Sequence, residues 1–193
     1  MKIIKLKNNF NEVVKSATLV LQSGGVIIYP TETAYGLGAD FLNAKAVKKV
    51  YQIKGRDFKK PLSVIVADLK MAQKTVKFNK TALKLAKKYW PGALTLVLPR
   101  KDINKTLALR VSFNKLATAI AKNLNKPLTA TSANLSGKGE LYSALAIKKE
   151  FKNKKFKPDL IIDAGKLPKI KPSTIVKIEK NKIEILRQGK III

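Results

Sequence analysis

The chain contains no cysteine and no histidine. Disulfides, thiolate nucleophiles, imidazole bases and the common zinc sites are thereby excluded, and any metal must be held by carboxylates, ligand phosphates and water. Acidic residues are also scarce, 12 against 40 lysines and arginines, which leaves a net charge of +28. Tyrosine and phenylalanine are sparse, and they show none of the interleaving with basic residues by which RNP-type sheets stack bases. No apolar run approaches the roughly 20 residues of a membrane span. The N-terminal MKIIKLKNNFNEVV scatters lysines through a short apolar pattern where a leader would have a clean apolar core. The expectation is a soluble, cytoplasmic protein with no membrane partner.

What is present is enough apolar material, 46% of 193 residues, to bury one core and too short a chain for two ordinary ones. One domain spanning residues 1–193 is expected. The charge points to polyanions, tRNA or other RNA among them. Only four of the 40 basic residues are arginine, however, and lysine is what an AT-rich genome writes by default, so charge alone does not identify a partner. The positions of Arg56, Arg100, Arg110 and Arg187 are more telling. A planar, bidentate guanidinium kept against a lysine background suggests a task that a point charge cannot perform. Arg100 stands outside every motif and reads as surface charge.

Helical and extended patterns alternate along the whole chain. A strand over Lys2–Leu6 precedes a helix from about Asn11, with Val13, Val14, Ala17 and Leu21 on one face, ending at Gly24-Gly25. A strand runs up to Pro30. Asn43 caps a helix that closes at Gly55 and places Lys54 and Arg56 at its exit. Extended runs follow at Leu62–Ala67, Leu94–Leu98, Leu107–Val111, Leu128–Thr131, Leu160–Ile162, Thr174–Ile178 and Ile183–Leu186. Helices are expected at Leu69–Thr75, Lys80–Tyr89, Lys115–Leu124 and Ser143–Phe151. The pattern predicts an α/β domain with a twisted mixed sheet flanked by helices, closed by a short hairpin across Glu179–Lys182. Phe151–Pro158, FKNKKFKP, reads either as a basic arm or as a solvated helix end.

The richest stretch is Tyr29–Asp40, YPTETAYGLGAD, a hydroxyl- and glycine-rich turn directly after Val26-Ile27-Ile28. A strand ending at a proline leaves small polar side chains at its carboxyl end, where open α/β sheets bind ligands. Gly36 and Gly38 permit a tight turn or a close approach. No P-loop occurs, and Gly36-x-Gly38 and Gly137-x-Gly139 lack the third glycine of a dinucleotide fingerprint. Phosphate, if bound, would fall to Lys54, Arg56, Lys60 and Arg187 with the hydroxyls of Thr131, Ser132, Ser136 and Ser173.

Seven segments occur in one order: Pro30-Thr-Glu-Thr-Ala-Tyr-Gly-Leu-Gly38, Lys54-Gly-Arg56 with Lys60-Pro-Leu62, Pro91-Gly-Ala-Leu-Thr95, Leu109-Arg-Val111, Thr131-Ser-Ala-Asn-Leu-Ser-Gly137, Pro172-Ser-Thr-Ile-Val176 and Leu186-Arg-Gln-Gly189. Together they resemble the signature of the YrdC/TsaC family, the threonylcarbamoyl-AMP synthases, in its short single-domain form. The resemblance implies a YrdC-like fold with a basic ligand groove. It implies condensation of L-threonine, bicarbonate and ATP to threonylcarbamoyl-AMP with release of pyrophosphate. A partner transferase complex would then modify the adenosine beside the anticodon of tRNAs reading ANN codons. N-carboxythreonine carries its own nucleophilic oxygen, so a chain without histidine or cysteine suits the reaction.

The same resemblance implies roles. Lys54 and Arg56 are catalytic, holding ATP phosphates, with Lys60, Ser132, Asn134, Ser136 and Arg187 also on the nucleotide. Thr31, Tyr35, Arg110, Thr131 and Ser173 bind threonine, Arg110 through its carboxylate, with Thr33 shaping the pocket. Ser136 and Gly137 form a turn whose N–H groups could cradle phosphate. Glu32 either orients an amine or caps its turn. Mg2+ accompanies ATP without a dedicated protein site. Many longer relatives carry a histidine shortly after Pro-Leu, where this chain reads Leu62-Ser-Val-Ile-Val66, so the threonine pocket must differ at that edge. Two other readings stand beside this one: a non-catalytic RNA-binding module using the basic surface, and the carbamoyl-phosphate chemistry of hydrogenase-maturation proteins, which carry YrdC-like modules with cysteine-bearing domains that this chain lacks.

Overall fold

The computed structural model describes residues 1–7 and 9–193. Its helices begin where a side-chain oxygen can take up the free N–H groups of a first turn. Asn9 accepts from Asn11 and Glu12 ahead of α1 (Phe10–Gln22), and Asn43 accepts from Ala46 ahead of α2 (Ala44–Lys54). Asp68 and Asn79 do the same for α3 (Leu69–Thr75) and α4 (Lys80–Tyr89). Asn114 caps α5 (Lys115–Leu124) and Ser143 caps α6 (Ala144–Phe151). Helix α2 ends on Gly55 with φ 57°, the left-handed stop that its sequence implied. Among the described residues no helix is long and apolar enough to cross a membrane.

The strands form two mixed sheets where the sequence suggested one. The first runs β1 (Lys2–Lys5), β9 (Leu160–Asp163), β2 (Ile27–Pro30), β3 (Tyr35–Gly38), β8 (Thr131–Ser132) in spatial order. The second runs β11 (Lys182–Arg187), β10 (Thr174–Glu179), β5 (Leu94–Pro99), β6 (Thr106–Val111), β4 (Ser63–Val66), β7 (Leu128–Thr129). The expected run Leu128–Thr131 is divided between them. Ala130 leaves both ladders, donating its N–H to Ser63 at 2.8 Å and accepting from the Ser63 hydroxyl at 3.0 Å, so the chain steps from one sheet to the other.

A second correction concerns the glycine-rich stretch. Residues 35–38 are a strand, antiparallel to β2 with Tyr29 opposite Gly36 and Ile27 opposite Gly38, and the turn is confined to residues 31–34. The glycines serve packing: a Cβ on Gly38 would stand 2.7 Å from Tyr29 Cε1, and one on Gly36 3.2 Å from its Cζ. The Tyr29 ring, fully buried, lies across β3 and donates its hydroxyl to the Thr129 carbonyl at 2.9 Å.

Period-two alternation distributes the core. Ile27 and Tyr29 pack with α1 and α5, while Ile28 packs with α2 and α6 on the opposite face. In the second sheet Leu94, Leu96, Leu98, Leu107, Leu109, Val111, Val176 and Ile178 pack against α3 and α4. The residues between them, Thr95, Val97, Ala108, Arg110, Ile175 and Lys177, therefore face the other way. Of the FKNKKFKP segment, Phe151 closes α6 inside the core and residues 152–157 are exposed outside the helix.

Candidate functional site

A cavity of about 470 Å³ opens where the two sheets meet. Its floor is the alternate face of the second sheet, with Ser63, Thr95, Val97, Thr106, Ala108, Arg110, Ile175 and Lys177, and Arg187 at the end of β11. Its opposite wall comes from the first sheet and its turn: Thr31, Thr33, Ala34, Tyr35, Gly36, Thr131 and Ser132. Arg56, Pro61, Glu140 and Ser173 close the ends. The lining thus mixes hydroxyls with Arg56, Arg110, Lys177 and Arg187 against one carboxylate, Glu140, a combination suited to a polar anionic ligand.

Of the residues singled out in the sequence, Thr31, Tyr35, Arg56, Arg110, Thr131, Ser132, Ser173 and Arg187 share this cavity. Lys54, Lys60, Asn134 and Ser136 do not line it. Lys60 and Ser136 are exposed beside it. The Lys60 carbonyl accepts from Tyr51 at 3.0 Å and from Arg56 Nε at 3.3 Å, and Arg56 Nη2 reaches Pro61 O at 3.2 Å. The loop 60–61 thereby fixes the guanidinium at the cavity mouth.

Lys54 is only 2% exposed, and its ammonium donates to the carbonyls of Ser132 at 2.6 Å and Asn134 at 2.9 Å. The Lys54 carbonyl in turn accepts from Ser136 N at 2.8 Å. This one residue, projecting from the end of α2, therefore holds the whole 132–136 turn. Burial, assisted by the neighbouring Arg56 cation, brings its pKa down to about 8. Asn134 donates to Leu135 O and Lys138 O, and its buried Oδ1 has no partner.

The turn 31–34 is self-contained. Thr31 Oγ1 lies 2.7 Å from Ala34 O, to which it donates, and it accepts from Thr33 N at 3.2 Å and Ala34 N at 3.3 Å. Thr33 Oγ1 stands 3.1 Å from Thr31 Oγ1. Because Thr31 has its single proton engaged, Thr33 is the hydroxyl of this turn better placed to donate to a ligand. Tyr35 lines the cavity, but its hydroxyl points the other way, donating to Gly165 O at 2.8 Å and accepting from Ala164 N at 2.9 Å. Burial raises its pKa.

Ser173 is the hub of the far side. Its hydroxyl lies 2.9 Å from Thr95 Oγ1, 3.0 Å from Arg187 Nη2 and 3.5 Å from Arg110 Nη1. Arg187 also donates from Nε and Nη2 to the Ser173 carbonyl, at 3.0 and 2.8 Å. Partial desolvation and the Arg110 cation hold the Arg187 pKa below the ordinary arginine value. Sequence reasoning passed over Thr95, Thr106 and Lys177 as site residues. The signal was available in the strict alternation Leu94-Thr-Leu-Val-Leu98, which sends Thr95 and Val97 away from the leucine core.

Among the described residues no group of three or more acidic side chains could cage a metal ion. Glu32 is paired with Arg110 and Ser112.

Comparison with known proteins places these features in a wider set. The Sua5/YciO/YrdC family, described as telomere recombination, matches residues 19–189. A Methanocaldococcus jannaschii protein is 39% identical over 200 residues, covering 98% of this chain and 94% of that protein. The threonylcarbamoyl-AMP synthase of Pyrococcus abyssi is 32% identical over 197 residues, and the match covers 97% of this chain and 57% of the relative. The structure of Pyrococcus abyssi Sua5 complexed with L-threonine superimposes with a TM-score of 0.87 at 30% identity, over 97% of this chain and 57% of that one. The chain thus spans little more than half of the Pyrococcus abyssi protein and nearly all of the Methanocaldococcus jannaschii one.

Proposed function

The chain belongs to the Sua5/YciO/YrdC family, and from that premise we propose that it is a threonylcarbamoyl-AMP synthase, condensing L-threonine, bicarbonate and ATP and releasing pyrophosphate. The observation that carries this reading is the sharing of one cavity by a hydroxyl-lined turn, Thr31 to Ala34, and by the guanidinium groups of Arg56, Arg110 and Arg187. An amino acid and a polyphosphate are the pair of ligands that such a lining suits.

The chemistry needs little from the protein beyond placement. The threonine amine adds to the carbon of bicarbonate with loss of water, giving N-carboxythreonine. An oxygen of the new carbamate group then forms a bond to the α-phosphorus of ATP as the bond to the bridging α–β oxygen breaks. The electron pair leaves with pyrophosphate. No side-chain nucleophile is required, and charge stabilisation of the transferring phosphoryl group is the main catalytic demand.

In this reading Arg110 and Ser173 receive the threonine carboxylate, while Thr33 and Thr131 face its amine and side chain. Arg56 and Arg187 hold the phosphates from the two ends of the cavity. Lys54 acts through the turn it anchors, keeping Ser132 and Thr131 in place. Mg2+ enters as the companion of the ATP phosphates. The product passes to a transferase complex that modifies tRNA.

The test is pyrophosphate release by the purified protein with threonine, bicarbonate or ATP omitted in turn. Release that requires all three supports the assignment. Release that proceeds equally without threonine overturns it.

A further inference from the structure

Two guanidinium groups converge on one hydroxyl: Arg110 Nη1 and Arg187 Nη2 lie 3.5 and 3.0 Å from Ser173 Oγ. Cations so close would draw the same anion, yet their surroundings differ. Arg187 is held by the neutral carbonyl of Ser173, and among the described residues no carboxylate forms an ion pair with it, Glu140 acting on it only from a longer distance. Arg110 has Glu32 Oε1 3.2 Å from its Nε. Those two atoms are buried and have no hydrogen-bond partner, so the ion pair is the compensation each has.

Glu32 is itself fixed. The Ser112 hydroxyl donates to its Oε2 and accepts from Asn114 N at 3.1 Å, at the head of α5. Glu32 does not line the main cavity. It borders an adjacent groove with Trp90, Pro91 and Phe113, behind Arg110. The Arg110 and Glu32 side chains are 8% and 14% exposed, so water screens their interaction weakly and the carboxylate offsets much of the Arg110 charge.

We propose that Glu32 is a positioning residue that reserves Arg110 for the amino-acid carboxylate and leaves polyphosphate to Arg187 and Arg56. This rests on reading the cavity as a joint site for threonine and ATP. The physical reason is selective compensation. A monoanionic carboxylate is satisfied by one guanidinium edge, and the Glu32 contact at Nε leaves the Nη edge of Arg110 facing the cavity. A polyphosphate carries several charges and gains most where positive potential is uncompensated. With Glu32 neutralised, Arg110 and Arg187 become two adjacent cations around Ser173 that lack an ion-paired carboxylate, a better seat for phosphate than for a carboxylate. Polyphosphate then invades the threonine subsite.

Isothermal titration with L-threonine and with inorganic tripolyphosphate, singly and together, tests this in the wild type, in Glu32→Gln and in Ser112→Ala. The wild type is expected to bind the two without mutual exclusion. Glu32→Gln should bind tripolyphosphate about tenfold more tightly, and tripolyphosphate should now displace threonine. Ser112→Ala, which frees Glu32 without removing its charge, should shift tripolyphosphate affinity and the displacement the same way but less. If Glu32→Gln binds both ligands as the wild type does, or loses threonine without gaining tripolyphosphate, the inference is overturned and Glu32 only shapes its turn. A wild type that binds neither ligand overturns the reading of the cavity itself.

Discussion

Lys54 Nζ donates to the carbonyl of Ser132 at 2.6 Å, joining the end of α2 to β8 across 78 residues of chain. The ammonium is buried and its pKa is lowered to about 8 from 10.5. Raising the pH through 8 therefore removes this charge in the folded protein while the unfolded chain still holds the proton. Between those values folding releases a proton, so the Lys54 contribution to stability rises with pH. Its hold on the turn has the opposite sign, because the charge that anchors the carbonyls of Ser132 and Asn134 is present at neutral pH and lost above 8. ATP affinity should fall several-fold between about pH 7.5 and about pH 9.5, a range in which ordinary lysines stay charged. Lys54→Arg, which keeps its proton, should abolish the fall if it folds. Titration of the Lys54 ammonium by nitrogen-detected NMR in the wild type provides the independent check, and a transition near its ordinary value refutes the coupling.

Among the described residues Arg56 is held at the cavity mouth by the carbonyls of Lys60 and Pro61 alone, so its removal costs little in folding. Arg56→Ala should raise the KM for ATP about ten- to a hundredfold, the loss of one charge-assisted contact. Its effect on unfolding free energy should stay within about 0.5 kcal/mol. Steady-state kinetics with thermal or urea melts separates the two. A large loss of stability would show that Arg56 has a structural duty that the contacts do not reveal.

Gly38 and Gly139 should respond oppositely to alanine. A methyl at Gly38 meets Tyr29 Cε1 at 2.7 Å and Leu128 Cδ1 at 3.0 Å, both in a closed core, whereas nothing lies within 4 Å of one at Gly139. Gly38→Ala should cost about 1–3 kcal/mol by overpacking. Gly139→Ala should be neutral within about 0.5 kcal/mol. Urea denaturation of the two variants decides, and equal stabilities would show that the Tyr29 ring can move aside.

Much of this architecture is legible from local chemistry. Asn43 and Gly55 mark the ends of α2, and the leucine alternation marks β5, because caps and period-two burial are decided within a few residues. The residues 35–38 are not legible in this way. Their glycines carry the local signal of a turn, and the pairing with β2 and β8, with the Tyr29 ring laid across them, makes them a strand. The division at Ala130 depends likewise on Ser63, 67 residues away. In the site, hydroxyls and arginines advertise themselves by type, whereas the inward burial of Lys54 and the outward-facing Tyr35 hydroxyl are set by tertiary partners. Glu32 is ambiguous in the sequence for the same reason: its meaning lies in Arg110 and Ser112, on the other sheet and at its exit.

The surplus positive charge lies largely away from the cavity. Lys80, Lys84, Lys87 and Lys88 are exposed on α4, and Lys152, Lys154, Lys155 and Lys157 are exposed after α6, where Lys155 sits 5.7 Å over the Phe156 ring. Exposed lysines of this kind neutralise phosphates without reading bases, and each neutralised phosphate releases counterions. tRNA should therefore bind with an affinity that falls linearly on a log–log plot against salt, with a slope equivalent to several phosphate contacts. Arg56→Ala should leave that slope unchanged, since the cavity is not the surface involved. Fluorescence anisotropy across a salt series measures both. Binding that is indifferent to salt, or that vanishes with Arg56, would place the RNA in the cavity and remove the case for a separate polyanion surface.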